Sequence, residues 1–182
     1  MERVIVKISD LAGDQLWGRD QGRSVRDKIL DLFNAQKKSV LLLDFAGLKQ
    51  IDYSCASEIV SVIILRLSGE LKNKHLLLTN LSQWIKENIE AALEKAELCC
   101  IVLTDNGRSW DLIGKYSDSL KETLDVVVKL KQADSPTISS ALNISITTCN
   151  NRLKSLVQLG MVKRDELTAS SGGRQYMYYS II

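Results

Sequence analysis

One histidine (His75), one proline (Pro136) and four cysteines with no C-x-x-C spacing are all that 182 residues hold of these types. Each scarcity removes a class of function. A lone histidine, set in a strand with no acid or nucleophile at a recognisable spacing, supplies no acid–base or nucleophilic centre, so the chain is not read as an enzyme. Cys55, Cys99, Cys100 and Cys149 stand in apolar runs. That placement suits buried, reduced thiols of a cytoplasmic protein, with a redox pair at Cys99 and Cys100 as the other reading. Neither a phosphate-binding lysine motif nor a metal-ligand cluster occurs, so no cofactor and no metal is expected. There is no signal peptide, and no apolar run reaches the length of a membrane span. A surplus of one charge is missing too. The net charge is +2, and residues 105–182 hold 10 basic against 8 acidic side chains. Affinity for nucleic acid would have to come from local placement rather than an overall field.

What is present is a chain with 45% hydrophobic residues, enough for two small domains that each bury a core. The sharpest stretch is Ser135–Gly160 with Met161–Ile182 behind it. Pro136 suits the first turn of a short helix, with Ser135 before it as cap, running to about Asn143. Ile144 and Ser145 make a turn, and Ser145 caps a second helix through Leu159 that Gly160 closes. Ile146, Cys149, Leu153 and Leu156 recur on one face and are expected inward. The other face carries Thr147, Thr148, Asn151 and Lys154, flanked by Asn150 and Arg152. Short hydrogen-bonding groups near the N-terminus suit base edges, and cations further along suit phosphates. No acidic residue occurs from Asn143 to Arg164. Beyond Gly160 an alternating segment, a turn at Ser170-Ser171-Gly172-Gly173 and a return through Arg174, Tyr176, Tyr178 and Tyr179 describe a β-hairpin. Leu120, Leu124, Val127 and Val128 make the core stripe of a preceding helix, which serves either dimerisation or internal packing.

Asn151-Arg152-Leu153-Lys154-Ser155-Leu156 followed by Leu159-Gly160-Met161-Val162-Lys163-Arg164 resembles the winged helix-turn-helix domain of prokaryotic transcription regulators, over roughly 117–182. The resemblance implies binding to double-stranded DNA through Thr147, Thr148, Asn151, Arg152 and Lys154, with Arg174 reaching in from the wing.

Earlier in the chain, Arg3–Ile8 alternates as a strand and Val40–Phe45 is a continuous apolar run broken by Asp44, as in a strand buried on both faces. Helices are expected over about 24–34, 54–67 and 81–95, and further strands over 74–79 and 99–103. This alternation makes a sheet with crossover helices, largely parallel, with the first strand as the one candidate exception. Gly13–Arg23, with Gly18-Arg19 and Gly22-Arg23, reads either as a solvated turn or as an anion site at a helix start. Residues 105–117 read as a junction anchored by Trp110, Leu112, Ile113 and Tyr116. The domains are therefore expected at 1–104 and 118–182.

Leu43-Asp44-Phe45 and Ile51-Asp52-Tyr53-Ser54-Cys55-Ala56 resemble the STAS domain of anti-sigma factor antagonists, in a divergent prokaryotic form. The fold class this implies is an α/β STAS-like sheet with crossover helices, plus a small α+β winged helix-turn-helix domain. In the antagonists an Asp-Ser-Ser-Gly loop is phosphorylated on its second serine by a partner kinase. Here Asp52 matches the aspartate, Tyr53 replaces the first serine, Ser54 keeps the second and Cys55 replaces the glycine. Ser54 is thus either a phosphoacceptor or, like Asp52, a helix cap. Asp44 with Asp52 suggests a metal or acid–base pair only weakly, since no histidine or third carboxylate accompanies them. Val62 and Leu65 share the side of the 54–67 helix that carries Glu58. There they either dock within the chain or form a surface for a protein partner of the kinase or sigma-pathway type, or for a second copy in a homodimer. Two functions stand: a DNA-binding transcriptional regulator whose STAS-like domain receives a protein or ligand signal, and a partner-switching adaptor whose winged helix contacts proteins.

Overall fold

The computed structural model describes residues 1–67, 69–71, 73–168 and 174–182. The chain divides into two compact units, Met1–Tyr116 and Ser117–Ile182. The first is a mixed α/β unit. Its strands β1 (Arg3–Lys7), β3 (Val40–Asp44), β5 (His75–Thr79), β6 (Cys99–Thr104) and β7 (Ser109–Gly114) form one sheet in the order β1-β3-β5-β6-β7. The first four run parallel, in the registers Ile5–Leu42, Leu42–Leu77 and Leu77–Ile101. A strand order that advances in one direction, with right-handed crossovers, puts the connecting helices on one face. These are α2 (Arg19–Asn34), the continuous helix Tyr53–Ala56, Ser57–Ser61 and Val62–Leu67 (α3, a π-helical turn, α4), and α5 (Gln83–Lys95), which pack on one another. Ile29, Phe33, Leu41, Leu43, Ile59, Ile63 and Leu78 are fully buried between helices and sheet.

In this unit two sequence expectations are corrected. The first strand is parallel to its neighbour, and the exception is β7, antiparallel to β6, which the sequence placed in a junction. The cause is the turn at Asp105–Gly107, where Asp105, Asn106 and Gly107 all take positive φ and reverse the chain onto the strand just completed. Leu112 and Ile113 are then buried, and Gly114 sits where an added Cβ would lie 2.4 Å from the Leu98 carbonyl oxygen. The second correction concerns Gly13–Arg23, of which only Gly13 and Asp14 form an exposed turn. After a short helix α1 (Ile8–Ala12), β2 (Gln15–Leu16) pairs with β4 (Gln50–Ile51), and α2 begins at Arg19 rather than Ser24. Gly18 is its N-cap, at φ 80°, a conformation glycine alone adopts cheaply.

The second unit holds α6 (Asp118–Leu130), β8 (Gln132–Asp134), α7 (Ser135–Leu142), α8 (Ile146–Gln158), β9 (Val162–Thr168) and β10 (Arg174–Ser180). The three strands form an antiparallel sheet in the order β8-β10-β9, and the three helices pack together. Leu124, Val127, Ile138, Cys149, Leu153, Leu156, Val162 and Tyr178 are among its buried apolar residues. The turn expected at Ser170–Gly173 lies outside the described residues, as does the side chain of Arg174. Asp134, not Ser135, caps α7: its carboxylate accepts from the Thr137 amide (3.0 Å) and the Thr137 hydroxyl (2.6 Å).

Candidate nucleic-acid interface

Local chemistry aims α8. Asn143 closes α7 in the left-handed conformation (φ 53°, ψ 45°), which asparagine tolerates better than other side-chain-bearing residues. Two residues later the Ser145 hydroxyl accepts from the Thr148 amide at 3.2 Å and starts α8. Gly160, at φ 70°, ends it, and the Met161 amide returns to the Leu156 carbonyl. Between these stops Cys149, Leu153 and Leu156 are buried against the rest of the unit. Ile146, expected with them, is 49% exposed, so the inward stripe starts one turn later.

On the opposite face Thr147, Thr148, Asn150, Asn151 and Lys154 are exposed. Thr148 is partly engaged, its hydroxyl 2.9 Å from that of Ser145. Arg152 departs from the expected DNA-facing set. Its side chain turns to α6, where it donates to the Ser119 carbonyl at 3.3 Å and lies 3.7 Å from the Glu122 carboxylate. Position 152 flanks the exposed stripe, and the acid on α6 draws its long side chain away from that stripe. Arg174 stands at the first position of β10, with its side chain outside the described residues.

Beside the exposed face of α8 lies a cleft of about 370 Å3, walled by Asn150, Asn151, Lys154, Val157 and Gln158 of the helix and by Arg164, Tyr176 and Tyr178 of β9 and β10. Among the described residues no carboxylate lines it. Arg164 was not among the residues expected to contact DNA. Its guanidinium sits over the Tyr176 ring, 4.6 Å from the centroid, a cation–π geometry. Lys163, the neighbouring cation, is spent on Asp165 at 2.6 Å and on the Tyr179 ring at 5.1 Å.

The region around Ser54 has a different design. Asp52 is the N-cap of the Tyr53–Ala56 helix and accepts from the Cys55 amide (2.7 Å) and, across the chain, from the Gly18 amide (2.8 Å). Burial pushes this carboxyl upward, but the amides of Cys55, Gly18 and Ser54 outweigh it and hold Asp52 below the ordinary carboxylate value. Ser54 stands half-buried within the first turn and is not the cap. Glu58, expected on a solvated face beside Val62 and Leu65, is 8% exposed. It is an ion-pair hub: Arg26, itself mostly buried, grips Oε2, while the Nε atoms of Arg23 (3.4 Å) and Arg19 (3.5 Å) approach Oε1. The anion that the glycine–arginine segment receives is therefore a side chain of the same unit. Val62 is half-buried and Leu65 is 54% exposed, so only Leu65 presents a large apolar surface there.

All four cysteines are free and buried, and burial raises their thiols, Cys99 to about 11 and Cys55 to about 12, with the Asp52 carboxylate adding to the latter. Such thiols are poor nucleophiles. His75 is buried at the start of β5. Asp44 does not join Asp52; it accepts from the Ala46 amide and from Asn80 Nδ2. Among the described residues no group of three metal-ligating side chains comes together, and no helix is long and apolar enough to cross a membrane. No protein-family model matches the chain, and no curated protein is significantly similar to it.

Proposed function

We propose that this protein is a prokaryotic DNA-binding regulator. In this reading the second unit is a winged helix-turn-helix whose α8 enters the major groove, and the first is a STAS-like α/β unit that receives a protein signal. One observation carries the reading: α8 exposes Thr147, Asn150, Asn151 and Lys154 beside a cleft with no carboxylate among its described lining residues, while its other face is buried. Threonine and asparagine match the hydrogen-bonding edges of base pairs, and lysine matches phosphate. The helix-turn-helix element has the short connection the motif requires, with a left-handed asparagine and a serine cap in place. On the first unit Leu65, with half-buried Val62 beside it, offers the surface for a protein partner or a second copy of the chain.

The test is an electrophoretic mobility shift of the full chain with duplex fragments of its own genome, titrated over potassium chloride. A salt-sensitive shift is expected, and Lys154→Ala should weaken it on every fragment while lowering the slope of log K against log [salt] by about 0.9. If no fragment shifts at low salt, the second unit is a protein-contact module and the adaptor reading replaces this one.

A further inference from the structure

The cations of the second unit with described side chains near α8 differ in what already holds them. Arg152 is held by Ser119 and Glu122, and Lys163 by Asp165. Lys154 and Arg164 are exposed, and no ion pair joins either to a described carboxylate. They stand on opposite walls of the cleft between α8 and the β9–β10 pair, with the neutral amides of Asn150, Asn151 and Gln158 beside them. Arg164 is exposed, yet its guanidinium lies against the Tyr176 ring at 4.6 Å instead of being left to solvent. An arginine so held loses less freedom when it meets an anion, because its rotamer is already restricted.

We infer that this cleft is a slot for the sugar–phosphate backbone of one DNA strand, in which Lys154 and Arg164 contact phosphate from the two sides and Tyr176 is a positioning residue for Arg164. The inference rests on the DNA-binding reading and adds to it a second cation, on the sheet rather than on the helix, and a device that presents it. The composition argues for backbone rather than base edges at this place: two cations and amide groups converge and no acid intervenes, as phosphate contacts require. Base reading then belongs to the first turns of α8, at Thr147 and at Asn151, which stands where the exposed stripe meets the slot and lines its edge. Glu166, two residues beyond Arg164 on the same strand face and opposite Tyr176, is not among the residues that line the cleft.

The test is fluorescence anisotropy of the full-length protein with a labelled duplex of mixed sequence across a potassium chloride series. Circular dichroism melts serve as the folding control. Arg164→Ala and Arg164→Gln should each lower the salt slope by about 0.9, as Lys154→Ala does, since each removes one phosphate contact. Tyr176→Phe keeps the ring and should bind like the wild type. Tyr176→Leu should weaken binding about two- to fivefold with the salt slope kept, the loss expected for an exposed cation–π contact. In an Arg164→Ala background Tyr176→Leu should have no further effect, a result that a merely structural tyrosine would not give. A wild type that binds while Arg164→Ala and Arg164→Gln keep their full slope overturns the slot and leaves the DNA-binding reading standing. Equal loss from Tyr176→Leu in both backgrounds overturns the positioning role. A wild type that fails to bind duplex at any salt removes the DNA-binding reading and this inference together.

Discussion

Asp52 ties together two helix starts in the loop that carries Ser54. It takes the Cys55 amide as a helix cap and the Gly18 amide as a tie to the start of α2, so it fixes both helix starts at once. A phosphate on Ser54 would be placed beside that carboxylate, with two of the nearby amides already bound, which is a poor setting for an added anion. Ser54→Ala is therefore expected to change stability by no more than about 0.5 kcal/mol, while Asp52→Ala costs about 1 kcal/mol or more from the cap alone. Intact-mass measurement of protein from its native cell should find no phosphate; a phosphorylated Ser54 would contradict this. The pH dependence carries its own sign. Because the folded state lowers the Asp52 pKa, the folded carboxylate binds fewer protons than the unfolded one. Its contribution is complete above the unfolded value near 3.9 and is lost as pH falls through the lower folded value. Asp52→Asn should thus be less stable than wild type at pH 7, with the gap narrowing below about pH 4 in urea melts.

At the scale of elements, α2 and the Tyr53–Leu67 helix meet through a glycine and lock through a buried acid. A Cβ on Gly22 would lie 2.9 Å from the Cys55 Cα and 3.1 Å from the Glu58 Cβ, closer than backbone can tolerate without the helices parting. Gly22→Ala is expected to cost about 1–3 kcal/mol by overpacking, and Glu58→Ala about 1–3 kcal/mol, because mostly buried Arg26 loses one of its two carboxylates and keeps only that of exposed Asp27, 2.9 Å away. Denaturant melts in which both variants match the wild type would show that this contact does not hold the unit together. None of this was legible in the sequence, where Glu58 looked like a solvated residue between apolar neighbours. The π-helical turn at Ser57–Ser61 shifts the face on which Glu58 and Val62 fall, and a 3.6-residue period does not anticipate it. By contrast α8 was legible in the chain itself: Ser145 and Gly160 are local stop signals, and Cys149, Leu153 and Leu156 follow helical spacing. Strand β7 was missed because it depends on pairing with β6 after a turn of left-handed residues, and polar Ser109 and Asp111 hid its alternation. The direction of Arg152 was missed for a similar reason, since Glu122 and Ser119 reach it from 30 or more positions earlier in the chain. Arg164 was passed over although it stands beside the hairpin tyrosines, because nothing in a linear pattern shows which ring it will meet.

For the whole molecule the charge is the constraint. A net +2 over 182 residues gives no strong field, so specific recognition has to rest on a few well-placed groups, and a homodimer would double their number. Base reading by Thr147 and Asn151 and backbone contact by Lys154 and Arg164 are two roles that separate in one experiment. Full-length protein would be used to select bound molecules from a pool of random duplexes at moderate salt, beside a Thr147→Ala/Asn151→Ala variant of the same fold. The wild type should enrich a defined sequence, and the double variant should retain salt-sensitive duplex binding while losing the enrichment. A wild type that retains no duplex, or a double variant that enriches the same sequence as strongly, would contradict this division of roles.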